Sequence, residues 1–588
     1  MKPLATNPRF AIVLAVFYTL SMVLAAKVTY LMIFSHEFLA SEGRKRTTRM
    51  IETIPVRGTI FDRFSQPLAV STPVSTLWVN PKQFDPTNQQ AALLKEHLDI
   101  NESLTKNLTL NTQNKSFAYL ARRIDPQLAN TIMELSIPGV YERQEYKRYY
   151  PQSSMLAQSI GFTNIDQKGI EGIELMYNHK LSGLPGIEEH TLNLHKRATR
   201  EIVVHKPFTP GDNLHLTIDS TLQHYVEKAL LKALMKNAAK SASAILIHAK
   251  TGEILALSTM PSFNPNARKS FNAELIRNRV FTDVYEPGSV IKPFSMAAVL
   301  TAKIIDKDAI IQIAPGFVKI NGYTIRDVGR DSQLDLAGII RRSSNVGMSK
   351  VAIPTGGAVI SQLLTELGFG INTAIYFPGE SVGTVPVNRV WSDIATASLS
   401  YGYSLSVNLA QLAQAYTVFA NDGNLVPLSI IKGEAKPSRN VISPEVANSV
   451  LSMMVQAVDG PGAGGKRAAI DGYTIAGKSG TSRKASSGGY QNNKYRAMFV
   501  GIAPANAPEF IMAIIVDEPT AGGYFGGAIA APIFKEVLED ALRIRNIPSD
   551  ERRSTRATPG RAGAPSPAMF TTPIHSQPPL RAHIPATG

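Results

Sequence analysis

The chain has no cysteine. That excludes disulfide bonds, thiol catalysis and cysteine-held metal, and it suits either a reducing cytosol or an exported protein held together by its core alone. No His-Glu-x-x-His occurs and the histidines are scattered, so neither a metal nor another cofactor is expected. Nucleic acid is not expected as a partner either, because zinc-finger spacing, an aromatic-rich RNA-binding signature and a dense basic helix are all missing. A phosphate-binding loop is nearly spelled by Gly460-Pro461-Gly462-Ala463-Gly464-Gly465-Lys466-Arg467. It fails because Arg467 replaces the magnesium-holding Ser or Thr, and the segment follows a helical pattern where a strand is required. No internal repeat is present.

What is there is 588 residues, 44% of them hydrophobic, with 61 basic against 46 acidic side chains and a net charge of +15. A chain this long can fill two or more cores. The excess positive charge fits nucleic acid, anionic lipid or an acidic polymer, and does not choose among them. Phe10 to Ala26 is uncharged, and Val28 to Phe34 continues it past Lys27. About 20 apolar residues cross a bilayer, whereas a cleavable signal has an apolar core of about 7 to 15, so a retained anchor is expected. Leu24-Ala25-Ala26 keeps signal cleavage as the alternative. Lys2 and Arg9 precede the span while Arg44, Lys45, Arg46 and Arg49 follow it, so charge counting does not orient it.

Pro55 to Gly186 mixes β-type runs such as Pro73 to Val79 with polar helical stretches such as Ala91 to Leu110, the pattern of a small mixed domain. From about Asp212 the texture changes. Leu214 to Ile218 alternates like a strand, Leu222 to Met235 is helical, and Ala244 to Ile247 and Ile254 to Leu257 flank a turn at Lys250-Thr251-Gly252. Helical patterns fill much of Ser289 to Ala420 and Pro444 to Val458, and strand-like runs return at Tyr473 to Ala476, Ala497 to Ile502 and Phe510 to Val516. Strands at both ends with helices between them predict an α/β (α+β) fold, a sheet assembled from distant segments and flanked by helices. Ser549 to Gly588, rich in Pro, Ala, Arg, Thr and Ser, reads as a disordered tail.

Ser-x-x-Lys places a hydroxyl and an amine on one helix face. It occurs at Ser103/Lys106, Ser289/Lys292 and Ser429/Lys432. Ser103 lies in a polar stretch and Ser429 in a β-type run, and both have ordinary structural explanations. Ser289 follows Tyr285-Glu286-Pro287-Gly288 and precedes an apolar run from Pro293 to Leu300, so it should open a buried helix. There, unpaired N–H groups could stabilise an oxyanion and Gly288 would let substrate approach, although an ordinary N-cap serine fits the same pattern. Ser343-Ser344-Asn345, like most polar triplets, could be a mere turn or cap. In Lys478-Ser479-Gly480-Thr481, at the end of a strand-like run, the lysine could attract a terminal carboxylate and the hydroxyls of Ser479 and Thr481 orient it while a peptide pairs with the strand edge. Lys250-Thr251-Gly252 imitates this element but belongs to a hairpin turn. The ordered set Ser-x-x-Lys, Ser-x-Asn, Lys-Ser/Thr-Gly is the signature of penicillin-binding proteins and class A β-lactamases. In that chemistry a neutral Lys292 takes the Ser289 proton, Ser343 relays a proton to the departing amine, and Asn345 holds Lys292 and a substrate amide.

Beyond the triad, Arg277-Asn278-Arg279 with Thr282 to Ser289 resembles the active-site block of class B penicillin-binding proteins. Arg57 to Arg63, Arg148 to Pro151, Ile160 to Phe162 and Gly169 to Glu174 resemble motifs of their pedestal domain. The resemblance covers roughly residues 50 to 540. With Gly526-Gly527 and Ala531-Pro532, it is most like the FtsI-type septal peptidoglycan transpeptidases of Gram-negative bacteria. It implies residues 1–40 as cytoplasmic tail and anchor, 41–211 as a dimerisation-type pedestal, 212–548 as the transpeptidase domain with a central antiparallel sheet, and 549–588 as tail. It further implies a D,D-transpeptidase in which Ser289 attacks the D-Ala-D-Ala end of a stem peptide, with Lys292, Ser343, Asn345 and Lys478 catalytic and Ser479, Gly480 and Thr481 binding substrate. The backbone N–H groups of Ser289 and Thr481 would form the oxyanion hole, and β-lactams would acylate the same serine. Other implications are a single pass through the inner membrane, a periplasmic catalytic domain, and partnership with a polytopic glycan polymerase and division-site membrane proteins.

The chain departs from the family at Ser65 and Ser404, where Gly is usual, at Ser479, where close relatives carry Thr, and at Val407-Asn408, where Thr-Pro is usual. These departures leave room for an elongation-type or specialised paralogue with a different pH or drug response. A β-lactam hydrolase or sensor and a noncatalytic division scaffold are the other readings. The first lacks a visible deacylating base or signalling domain, and the second is disfavoured by the intact triad.

Overall fold

The computed structural model describes residues 8–98, 117–192, 198–267, 272–486 and 489–550. The Ser103/Lys106 pair and nearly all of the expected tail lie outside them. Pro8–Ile33 is one helix with none of its residues buried and a mean hydropathy of 2.1 in its most apolar window, long and apolar enough to cross a membrane.

The pedestal is built on a long strand, Pro67–Val79, flanked by Val140–Tyr149 and Ala118–Ile124. Its base is fastened by a buried ion cluster. The Glu174 carboxylate accepts from Arg57 Nε at 2.7 Å and from Arg148 Nε at 2.6 Å, and all three side chains are almost wholly out of solvent. Ile60, Leu68, Tyr150 and Ile173 belong to the same apolar cluster as Ile245 and Phe294, so the pedestal base and the C-terminal domain share one core.

That C-terminal domain is organised by a five-stranded sheet of β1 (Ser241–His248), β2 (Ile254–Met260), β3 (Ala476–Ser486), β4 (Gly489–Ala503) and β5 (Phe510–Asp517), in the order β2-β1-β5-β4-β3 and antiparallel throughout. Among its helices are α1 (Ser220–Lys236), α2 (Lys292–Ala302), α3 (Leu336–Arg342), α4 (Asn345–Thr355), α5 (Leu409–Ala420), α6 (Pro444–Asp459) and α7 (Ala531–Ile544). Because side chains alternate across a strand, Ile245, Ile247, Ile511 and Ala513 enter the core with α2, α5 and α6, while Ala244, Leu246, Met512 and Ile514 face α1 and α7. Both faces are covered, so the central strands read as continuous apolar runs.

The predicted architecture is present, with local corrections. Leu214 to Ile218 forms a strand only at Leu214–His215. Tyr473 and Thr474 lie outside β3, because the Tyr473 hydroxyl donates to Ile547 O and Thr474 donates from its amide and hydroxyl to Asp550. The strand therefore begins at Ala476, and Lys478 to Thr481 lie within it rather than after it. The decoys resolve as structure: Lys432 Nζ reaches Arg63 O at 2.9 Å, and Lys250 Nζ reaches Ala420 O at 2.6 Å beside its hairpin turn.

Candidate active site

Ser289 sits in a 3-10 turn, Gly288–Ile291, that runs directly into α2; the helix itself starts at Lys292, not at the serine. The turn is held from both sides. Gly288 N–H donates to Gly402 O at 3.0 Å, and the Tyr416 hydroxyl donates to Val290 O at 2.8 Å from inside the core. Gly288 has φ +56, and a Cβ there would stand 3.0 Å from Thr481 O, so this glycine meets both a left-handed backbone and a close strand. One at Gly480 would meet Val290 at 2.9 Å and Pro287 O at 3.1 Å. The nucleophile turn and the edge strand β3 are thus in direct backbone contact.

Lys292 is fully buried. Its Nζ donates to Ser343 O at 2.6 Å and Asn345 Oδ1 at 2.8 Å, and lies 3.4 Å from Ser343 Oγ. Lys478, also buried, approaches from β3, its Nζ 3.0 Å from the same Ser343 hydroxyl and 2.8 Å from Ser479 O. Ser343 can serve both because it is the corner between two helices. It closes α3 with φ +56, while Ser344 caps α4 by accepting from Gly347 N–H. The triplet is a cap, as such triplets usually are, and that cap turns a carbonyl and a hydroxyl toward two amines.

Burial works against a charge on either lysine. It is the main cause that holds Lys292 well below the ordinary lysine range, followed by repulsion from Lys478, with Asp327 pulling the other way. Burial alone lowers Lys478 to about 7. A neutral Lys292 has two N–H bonds, enough for Ser343 O and Asn345 Oδ1, which leaves its lone pair for a hydroxyl.

Ser479 and Thr481 are half-buried along β3. The Thr481 hydroxyl accepts from Gly526 N–H at 3.1 Å, and the glycine-rich segment that imitates a phosphate loop lies alongside: a Cβ at Gly464 would come within 3.1 Å of Ser479 Oγ. Its glycines allow close packing against the strand. The structure therefore brings together Lys292, Ser343, Asn345, Lys478 and Ser479 by direct contact, with Ser289, Gly480 and Thr481 on the abutting backbones.

The departures from the family pattern are accommodated locally. Ser404 takes φ +63 and donates its N–H to Glu286, three residues before Ser289. Asn408 caps α5 in a capping box with Gln411 and donates to Ser381 O. Asp327 was missed from sequence. Its carboxylate accepts from Ser344 Oγ, Asn345 N–H and Val346 N–H at 2.5, 2.6 and 3.0 Å. One aspartate in a polar turn carries no signal by which it could have been found.

Residues 242–539 match the penicillin binding protein transpeptidase domain, and residues 52–216 the penicillin-binding protein dimerisation domain. The chain is 43% identical to the probable peptidoglycan D,D-transpeptidase PbpC of Pseudomonas aeruginosa, over 94% of this chain and 98% of that protein. It is 37% identical to the peptidoglycan D,D-transpeptidase FtsI of Escherichia coli, over 92% of each. Among solved structures, a peptidoglycan synthetase from Bifidobacterium adolescentis aligns with a TM-score of 0.69 at 25% identity, covering 86% of this chain and 98% of that one. The transpeptidase domain of Burkholderia pseudomallei penicillin-binding protein 3 aligns at 0.52 and 38% identity, covering 57% and 97%.

Proposed function

From the chain's membership of the penicillin-binding protein family of peptidoglycan D,D-transpeptidases, we propose that Ser289 is its acylating nucleophile and Lys292 the base that activates it. Lys292, kept neutral, takes the hydroxyl proton as Ser289 Oγ bonds to the carbonyl carbon of the penultimate D-Ala of a stem peptide. The oxyanion is met by the N–H groups of Ser289 and Thr481. The C–N bond then breaks, and the leaving D-Ala amine receives a proton through the Ser343 hydroxyl, which Lys292 and Lys478 flank. The amine of a neighbouring stem attacks the resulting ester, returns its proton through the same groups and frees Ser289.

Asn345 holds Lys292 and a substrate amide. Lys478, with the hydroxyls of Ser479 and Thr481, receives the terminal carboxylate, and the arriving anion favours the protonated form of Lys478. The donor peptide lies extended along β3, with Gly480 allowing its close approach.

The single observation that supports this reading most is that two buried lysines from distant elements share one serine hydroxyl, 3.4 and 3.0 Å away. Burying two amines together is costly, and such strongly perturbed groups gather where catalysis uses a neutral amine as a base. Duty at the division septum is supported by the likeness to FtsI of Escherichia coli. The apolar helix would anchor the chain in the inner membrane with its catalytic domain in the periplasm, beside a polytopic glycan polymerase and division-site membrane proteins. The test is cross-linking of lipid-linked peptidoglycan precursor polymerised by a partner glycosyltransferase. Wild type should form dimeric stem peptides and Lys292→Ala should not; cross-linking by Lys292→Ala at the wild-type rate would remove Lys292 as the base.

A further inference from the structure

Resting on that reading, we propose that Asp327 is a positioning residue for acylation, one carboxylate that both locks the Ser343–Asn345 corner against Lys292 and sets a negative charge beside that corner. The corner needs a lock. Ser343 is held in the left-handed region, and α4 begins two residues later, so its first N–H groups have no partner within the helix. Asp327 takes two of them, from Asn345 and Val346, with one oxygen, Oδ1, and uses the other, Oδ2, to accept from the Ser344 hydroxyl. The Ser344 oxygen in turn accepts from Gly347 N–H at 2.8 Å. Every residue of the corner after Ser343 is tied, directly or through Ser344, to one half-buried side chain.

The consequences reach the base through two atoms. Asn345 Oδ1 and Ser343 O are the acceptors that aim Lys292, and both belong to this corner. Asn345 is fixed further by its own Nδ2, which donates to Arg326 O at 3.2 Å, so the segment carrying Asp327 holds both the backbone N–H and the side-chain amide of Asn345. Two charged groups act on Lys292 from the elements around it: Lys478 on β3, which opposes protonation, and Asp327 before α3, which favours it. The neighbouring cations on α3 are engaged elsewhere, Arg342 with Asp331 and Gly462 O, and Arg341 with Gln456.

Position and charge make separable predictions. Losing the hydrogen bonds lets the corner drift and slows acylation at every pH. Losing the charge has the opposite tendency on protonation: Lys292 becomes still harder to protonate, so the acid limb of the acylation profile moves to lower pH. A purely structural aspartate would produce the first effect without the second.

The experiment measures the second-order rate of fluorescent-penicillin acylation of the full-length protein in detergent, from acid to alkaline pH, for wild type, Asp327→Asn and Ser344→Ala. Asp327→Asn should be about tenfold slower or worse at its optimum, with its acid limb displaced downward by about one pH unit. Ser344→Ala keeps the charge and removes two hydrogen bonds, the one to Asp327 and the one from Gly347 N–H, so it should slow acylation and leave the acid limb in place. An unmoved limb in Asp327→Asn, or an equal displacement in Ser344→Ala, overturns the proposal. Ser289→Ala in parallel separates this from failure of the underlying reading. If it still labels, the nucleophile is misassigned; if it is silent while Asp327→Asn matches wild type, only the role of Asp327 falls.

Discussion

Replacing Lys478 with methionine should stabilise the fold at neutral pH while destroying its reactivity. Lys478 is fully buried and its pKa falls from 10.5 to about 7. A lysine lowered in the native state binds its proton more tightly when unfolded, so it opposes folding at every pH where the unfolded chain is protonated. The penalty is absent above the unfolded pKa, grows as pH falls toward the folded value, and is constant below it. At pH 7 that amounts to about 4 kcal/mol. Against it stand the hydrogen bonds of Lys478 to Ser343 Oγ and Ser479 O, about 1 kcal/mol each. Methionine has the same unbranched reach and fits without a large cavity, leaving a net gain of about 2 kcal/mol. Urea unfolding of wild type and Lys478→Met, followed by intrinsic fluorescence at neutral and alkaline pH, tests this. The variant should be more stable at neutral pH and lose its advantage above about pH 10. A less stable variant at neutral pH, or an advantage that persists undiminished in alkali, would refute the claim that this lysine is stored at an electrostatic cost.

Glu174→Gln leaves the Arg57 and Arg148 guanidiniums buried without a counter-charge, and should cost about 3–5 kcal/mol by urea unfolding. The same variant should still react with penicillin in the absence of denaturant, since the pedestal cluster touches no cleft residue. Gly288→Ala must place a Cβ at φ +56 and 3.0 Å from Thr481 O. Stability should fall by about 1–2 kcal/mol, and acylation by about tenfold or more as β3 is pushed from the nucleophile turn. Wild-type acylation kinetics in that variant would mean that turn and strand need not touch.

The sequence made the site more legible than its supports. Ser289 stood out among three Ser-x-x-Lys copies through the apolar run from Pro293 to Leu300 together with the ordered Ser-x-Asn and Lys-Ser-Gly motifs that follow, and that run lies in a buried helix. The sheet drawn from both ends of the domain was visible because its central strands, covered on both faces, are largely apolar. Strand limits were less visible, since Tyr473 and Thr474 look like β residues but spend their polar groups on Ile547 and Asp550, beyond any local window. Arg57, Arg148 and Glu174 each lay in a recognisable motif, yet nothing in sequence says that three such segments meet at one carboxylate. Asp327 is the sharper case, because its function lies wholly in contacts made across a corner that exists only after α3 and α4 have packed.

The most direct test is to trap the acyl-enzyme with penicillin, digest it and locate the adduct by mass spectrometry. The adduct should be found as an ester on Ser289 alone and be absent from Ser289→Ala. A stoichiometric adduct on any other residue of the wild-type protein, or one that survives the substitution, would contradict the assignment on which the chemistry depends.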